Sequence, residues 1–193
     1  GCRHLHPALD ALAAILEKAP LTAAQVERIT VGTYRAAVDT EIHQLKSRGD
    51  AYFNLSYAMA ARIVLGHNDY DAFAEEHFTN PRILALMPRI RVAVEPQIDA
   101  LYPKKRGALV ELQTVAGGGL RKEILIARGE PENPLPDAFT RHKFRKAAAD
   151  CLIEGEQAEI EAVLADDCSL DTSALFTGLT RILTNTQGSK HAA

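Results

Sequence analysis

The chain has 193 residues, 47% of them hydrophobic, enough apolar material for one sizeable core or for one core with a small appendage. With 22 basic against 25 acidic residues the net charge is -3, which gives no electrostatic reason to expect a nucleic acid or a membrane surface as partner. No apolar run approaches the roughly 18 residues of a membrane span, and the N-terminus has no signal-peptide pattern. Three cysteines without a CxxC pair argue against a disulfide framework or a four-cysteine zinc site, so a reducing, cytoplasmic setting is expected. The opening Gly1-Cys2-Arg3, with no methionine and a dense polar cluster at once, reads as part of something longer.

Along the chain, Leu9, Leu12, Ala13, Ile15 and Leu16 recur at helical spacing, and Pro7 suits a first turn, so a helix is expected over 7–18. Thr22 opens a short capped segment leading to a β-branched, alternating strand over 26–34. A polar stretch covers 35–50. The run 51–65, rich in Ala and Leu and stopped by Gly66, predicts a buried helix. Short helices are expected over 70–77 and 81–87, the second with Asn80 as N-cap and Pro81 in first position. Strands are expected over 90–95, 108–114 and 121–127, the last two joined as a hairpin through Gly117-Gly118-Gly119. That glycine run precedes no helix, so it is a turn and not a phosphate cradle.

Three prolines in 131–136 mark a boundary, and helical patterns follow over 137–151, 156–164 and 169–183, with a flexible polar tail over 185–193. No internal repeat is visible. The expected class is α+β, a small antiparallel sheet of about four strands packed with helices. The expected domains are 1–135 as the α+β part, 136–184 as C-terminal helices, and the tail.

Cys2, Arg3, His4 and His6 place a thiol, a guanidinium and two imidazoles at one loop-to-helix junction. A metal site on Cys2, His4 and His6 lacks a further ligand pair at suitable spacing. An acid/base histidine is the second reading, because imidazole is matched to proton transfer near neutral pH. Surface or interface histidines with packing roles are the third. Cys2 has no neighbour in sequence that would activate it, and Lys104-Lys105-Arg106 reads as a solvated loop, with attraction of an acidic substrate as the rival view.

The segment Cys2-Arg3-His4-Leu5-His6-Pro7-Ala8-Leu9-Asp10-Ala11 resembles the one that opens the second half of MmgE/PrpD proteins. In order, 29–34 is similar to the family's strand, Ala51-Tyr52-Phe53-Asn54-Leu55-Ser56-Tyr57-Ala58 to its KFSLPYAVA helix, Gly129-Glu130-Pro131-Glu132-Asn133-Pro134-Leu135 to its GxPxNPL turn, and Lys143-Phe144 to the KF that follows. Tyr52 stands where lysine is usual and Asn54 where serine is usual, so no role is carried over for that lysine.

The resemblance implies a lyase or epimerase of small di- and tricarboxylic acids, such as 2-methylcitrate dehydratase, cis-aconitate decarboxylase or iminodisuccinate epimerase. It also implies no cofactor, no metal, a homodimer, and C-terminal helices that return to an all-helical N-terminal half missing from this chain. Removing a proton alpha to a carboxylate needs a positioned base and donors for the developing aci-carboxylate. By motif position His6 becomes the acid/base candidate and Tyr57 its phenolic partner, meeting His6 over the substrate, with Arg3 and His4 as carboxylate binders. Packing or solvated roles remain their rivals, and a non-catalytic oligomerisation module is the alternative of another class.

Overall fold

A computed structural model describes residues 1–165 together with Phe176, Leu179 and Thr180. The chain divides into two compact units, Gly1–Pro134 and Leu135–Ala193.

The first unit is α+β. Its open four-stranded sheet has the order β2-β1-β3-β4, with β1 Val26–Thr33, β2 Ile90–Val94, β3 Ala108–Thr114 and β4 Gly119–Ile124. The sheet is mixed rather than antiparallel. β3 pairs antiparallel with both β1 and β4, but β1 and β2 run parallel, Ile29 opposite Ile90 and Thr33 opposite Val94. Alternation in a sequence reports strand faces and not strand direction. The chain between β1 and β2 carries α2 (Arg35–Asp39), α3 (Arg48–Ala51), α4 (Leu55–Leu65) and α5 (Pro81–Leu86), which supplies the long crossover that a parallel pair requires.

The hairpin turns earlier than the sequence suggests. Gly117 takes φ +84° and the Gly118 carbonyl accepts from Thr114 N at 2.9 Å, so Gly119 already pairs with Gln113.

Helix α1 (His6–Lys18) and α4 pack on one face of this sheet. Ala8, Ala11, Leu12 and Ile15 of α1 meet Ile29 and Val31 of β1, Val110 and Leu112 of β3, and Leu55, Ala58 and Met59 of α4 in one core. Each fully buried large aliphatic side chain there contributes on the order of 1.5–3 kcal/mol. Leu109, between two core-facing neighbours, points to the other face and packs with Tyr34, Ala37 and Ile98, the last from α6 (Pro96–Asp99).

Helix α4 is shorter than the 51–65 expected from its apolar run. Asn54 takes the N-cap and its side chain accepts from Tyr57 N at 2.6 Å, while Gly66 ends the helix at φ +86°. Residues 70–77 form two 3-10 turns, Tyr70–Phe73 and Glu75–His77, because Ala74 between them is extended. Asn80 caps α5 by accepting from Arg82 N at 3.0 Å.

In the second unit, α7 (Asp137–Ala148) and α8 (Glu154–Ala165) are joined by Arg145, which donates to both carboxylate oxygens of Glu161 at 2.8 and 2.7 Å. Of the helix expected over 169–183 only the three residues named above are described, and they are helical. The expected tail over 185–193 lies outside the described residues. Among the described residues no helix is long and apolar enough to cross a membrane.

Candidate active site

Arg3–Leu5 is a 3-10 turn that runs directly into α1. The turn is pinned from two sides: Cys2 N donates to the Tyr52 carbonyl at 2.7 Å, and Leu5 is buried in the main core. His4 therefore projects from a fixed backbone. Its Nδ1 lies 2.5 Å from the hydroxyl of Tyr34, with the two rings edge to face at 5.5 Å.

Tyr34 follows immediately on β1, is fully buried, and stacks on Tyr102 at 4.8 Å between ring centres. Burial pushes its phenol up to about 12, so near neutral pH the group is an O–H donor. Burial, with the Arg106 charge in support, holds His4 below the ordinary histidine value. A neutral His4 accepts the phenolic hydrogen at Nδ1 and carries its own proton on Nε2.

His6 stands two residues on, as the first residue of α1. Its Nε2 is 3.3 Å from the Gly1 carbonyl, and a carbonyl only accepts, so Nε2 bears the proton and Nδ1 keeps the lone pair. Although solvent reaches the residue, burial lowers the His6 pKa, against the opposing pull of the Gly1 carbonyl and of Asp10. Near neutral pH this imidazole is an available base.

Arg3 is already engaged. Its Nε donates to Glu130 Oε1 at 2.7 Å and a terminal amino group pairs with Glu130 Oε2, which holds the Glu130 carboxyl below its usual range. Glu130 reaches this place because Gly129, at φ +88°, and the bond from Gly129 N to the Asn133 carbonyl at 2.8 Å fold the loop back on itself. Two residues earlier in that loop, Arg128 donates its backbone N–H to Asp10 Oδ2 at 2.7 Å and its Nε to Oδ1 at 3.1 Å. Arg106, from the loop before β3, is half-buried, and its charge acts on His4, Tyr34 and Glu130.

The cluster thus unites Arg3, His4 and His6 with two residues that sequence reasoning did not single out, Tyr34 and Glu130, and with Arg106, which it read as part of a solvated loop with attraction of an acidic substrate as the rival view. Tyr34 and Glu130 lie within motifs of the family resemblance, and the tyrosine where strand alternation ends was the available signal. Nothing local ties Arg3 to a glutamate 127 positions away.

Tyr57 is placed differently. It is fully buried on α4, its hydroxyl donates to the Ala72 carbonyl at 2.7 Å, and its ring packs against Phe73 and, edge to face, Phe78. Burial raises its phenol to about 12. Among the described residues, none of its hydrogen-bond or ring partners is His6 or belongs to the cluster around His4. A cavity of about 240 Å³ between Thr22–Ala24 and α5 shares no residue with the cluster either.

Among the described residues, the side chains of metal-ligating type close enough to share an ion are His67, Asp69 and Asp71, beyond the end of α4, and not Cys2, His4 and His6.

The fold and the cluster together define an α+β domain that gathers a base, a buried phenol and cationic groups at the start of its first helix. The sequence matches the MmgE/PrpD C-terminal domain over residues 1–167, and the chain belongs to the MmgE/PrpD family. No curated protein matches it.

Proposed function

We propose that this chain is the C-terminal part of a lyase that acts on small di- and tricarboxylic acids by removing a proton alpha to a carboxylate, in the manner of 2-methylcitrate dehydratase. The observation that carries this reading is the His4 Nδ1 to Tyr34 hydroxyl contact of 2.5 Å, set beside a second imidazole with a lone pair to spare.

His6 Nδ1 takes the alpha proton, and the cationic side of the cluster stabilises the charge that develops on the carboxylate. The hydroxyl on the neighbouring carbon leaves as water with the Nε2 proton of His4, whose Nδ1 takes the phenolic proton of the buried Tyr34. The His6 imidazolium then returns its proton through solvent to His4 Nε2, and His4 Nδ1 hands its own back to the phenolate, which restores all three groups. The phenol of this scheme is that of Tyr34 and not that of Tyr57. Imidazole and phenol carry the proton throughout, and the scheme uses no metal. Decarboxylation of cis-aconitate or epimerisation would begin from the same carbanion.

The second unit supports the view that a further helical half or a second copy completes the enzyme. It exposes the large apolar side chains of Phe139, Ile153, Leu164 and Phe176, which such a partner would cover.

A panel of di- and tricarboxylic acids offered to the protein with its N-terminal half tests the proposal. At least one acid should be turned over, and His6→Ala should lower kcat by about 10²–10⁴-fold. Turnover within a few-fold of the parent would make His6 structural, and a panel with no substrate would defeat the reading.

A further inference from the structure

The charges of the cluster do not cancel evenly. Arg3 is matched by Glu130 and Arg128 by Asp10, and His4 and His6 are held toward their neutral forms. Arg106 is left over. It has no hydrogen bond or ion pair among the described residues, although it is half-buried and its charge reaches the Glu130 carboxylate, which Arg3 already holds.

Its position is fixed by its neighbours. The buried Thr33 hydroxyl donates to the Gly107 carbonyl at 2.9 Å, which ties the loop to the residue before Tyr34. A Cβ on Gly107 would lie 3.2 Å from the Ile124 carbonyl oxygen and 3.2 Å from the Leu125 Cα, so the backbone beside Arg106 is seated against the end of β4. Lys105 N donates to the Leu101 carbonyl at 2.9 Å, closing the loop on its other side. Lys104 and Lys105 are exposed, and only Arg106 of the three turns inward. A guanidinium held this way, with the Glu130 carboxylate that its charge reaches already bound by Arg3, is a fork for a carboxylate supplied from outside.

We infer that Arg106 is the carboxylate anchor of the site, taking a carboxylate remote from the reacting carbon, and that it restricts the site to acids with at least two carboxylates. The inference rests on the proposal that a small polycarboxylate binds over the His4 and His6 cluster. It makes Arg106 a specificity residue and leaves the proton chemistry to the imidazoles and Tyr34.

Binding of unreactive acids tests it apart from turnover. Calorimetric titration of the full protein with tricarballylate, succinate and propionate, carrying three, two and one carboxylates, is compared with Arg106→Gln and Arg106→Lys. The expected result is a loss of about tenfold or more for the first two acids in Arg106→Gln, a smaller loss in Arg106→Lys, and little change for propionate. The His4 imidazole, followed by NMR, should titrate at higher pH in Arg106→Gln because the nearby positive charge is gone. Arg106→Lys keeps the charge and serves if Arg106→Gln does not fold. Unchanged affinity in both variants, or an equal loss for all three acids, overturns the inference. Turnover of a dicarboxylic acid together with Arg106-independent binding defeats it while the lyase proposal stands. Arg106-dependent binding without turnover of any acid does the reverse, and a parent protein that binds no acid defeats both.

Discussion

Tyr34 and Tyr57 are both fully buried and both hold the phenolic proton up to about pH 12, yet one hydroxyl faces an imidazole and the other a backbone carbonyl. Substitution separates them. Tyr57→Phe leaves the Ala72 carbonyl without its donor inside the core, so unfolding in denaturant should show a loss of about 1–3 kcal/mol with kcat little changed. Tyr34→Phe should lower kcat on the best acid of a panel by about 10²-fold or more while the fold persists, since stacking on Tyr102 does not need the hydroxyl. The histidines set the pH behaviour. Their folded values lie below the ordinary 6.5, so a base that works unprotonated gives a rate that falls as pH drops, with its half-point below 6.5. Stability has the same sign. Between the lowered folded values and 6.5 the unfolded chain binds more protons, so these two imidazoles make stability fall as pH drops through that window and add no further loss beneath it. Thermal unfolding followed from pH 8 to 5 checks this, and replacing both histidines by Gln should flatten that part of the curve. Arg3, His4 and His6 could be read from the sequence because they are neighbours in it. Tyr34 could not be ranked above Tyr57, because both are tyrosines in apolar surroundings and only the partner of each hydroxyl tells them apart.

The elements obey local signals wherever a cap or a special backbone angle is involved. Asn54 replaces the serine usual in the family, and the structure shows what the position does: its side chain accepts from Tyr57 N and its amide donates to the Ile42 carbonyl at 2.7 Å. Asn54→Ala should therefore cost about 1–2 kcal/mol, measurable by denaturant unfolding. Serine in its place would restore the cap but not the second bond. Helix periodicity placed α1 and α5 closely, and the Gly66 stop of α4 was legible for the same reason. The start of α4 was not, because Ala51 to Asn54 continues the apolar composition while the backbone breaks to form the cap. Strand direction was equally hidden, and the parallel β1 and β2 pair becomes evident only when the crossover through α4 is traced. Gly107 belongs at this scale too. Alanine there would press on the Ile124 carbonyl and on Leu125, and should cost about 1–3 kcal/mol while weakening acid binding through the displaced Arg106 loop.

Both apolar clusters draw only on residues 2–125, so the first unit carries a complete core of its own. A chain ending at Pro134 should unfold cooperatively, and a broad, non-cooperative transition would show that the second unit is needed for stability. Three prolines in 131–136 prevent a helix from running through that stretch.

Arg3 with Glu130 and Asp10 with Arg128 fasten the first residues of this unit to its last ones. The cluster is therefore a seam: it exists only once the two extremities of a long stretch of chain have found each other, after everything between them has been threaded into place. Damage far away that loosens either extremity should silence the chemistry while the sheet still stands, so lost turnover would be the earliest symptom of a weakened fold and not proof of an injured imidazole.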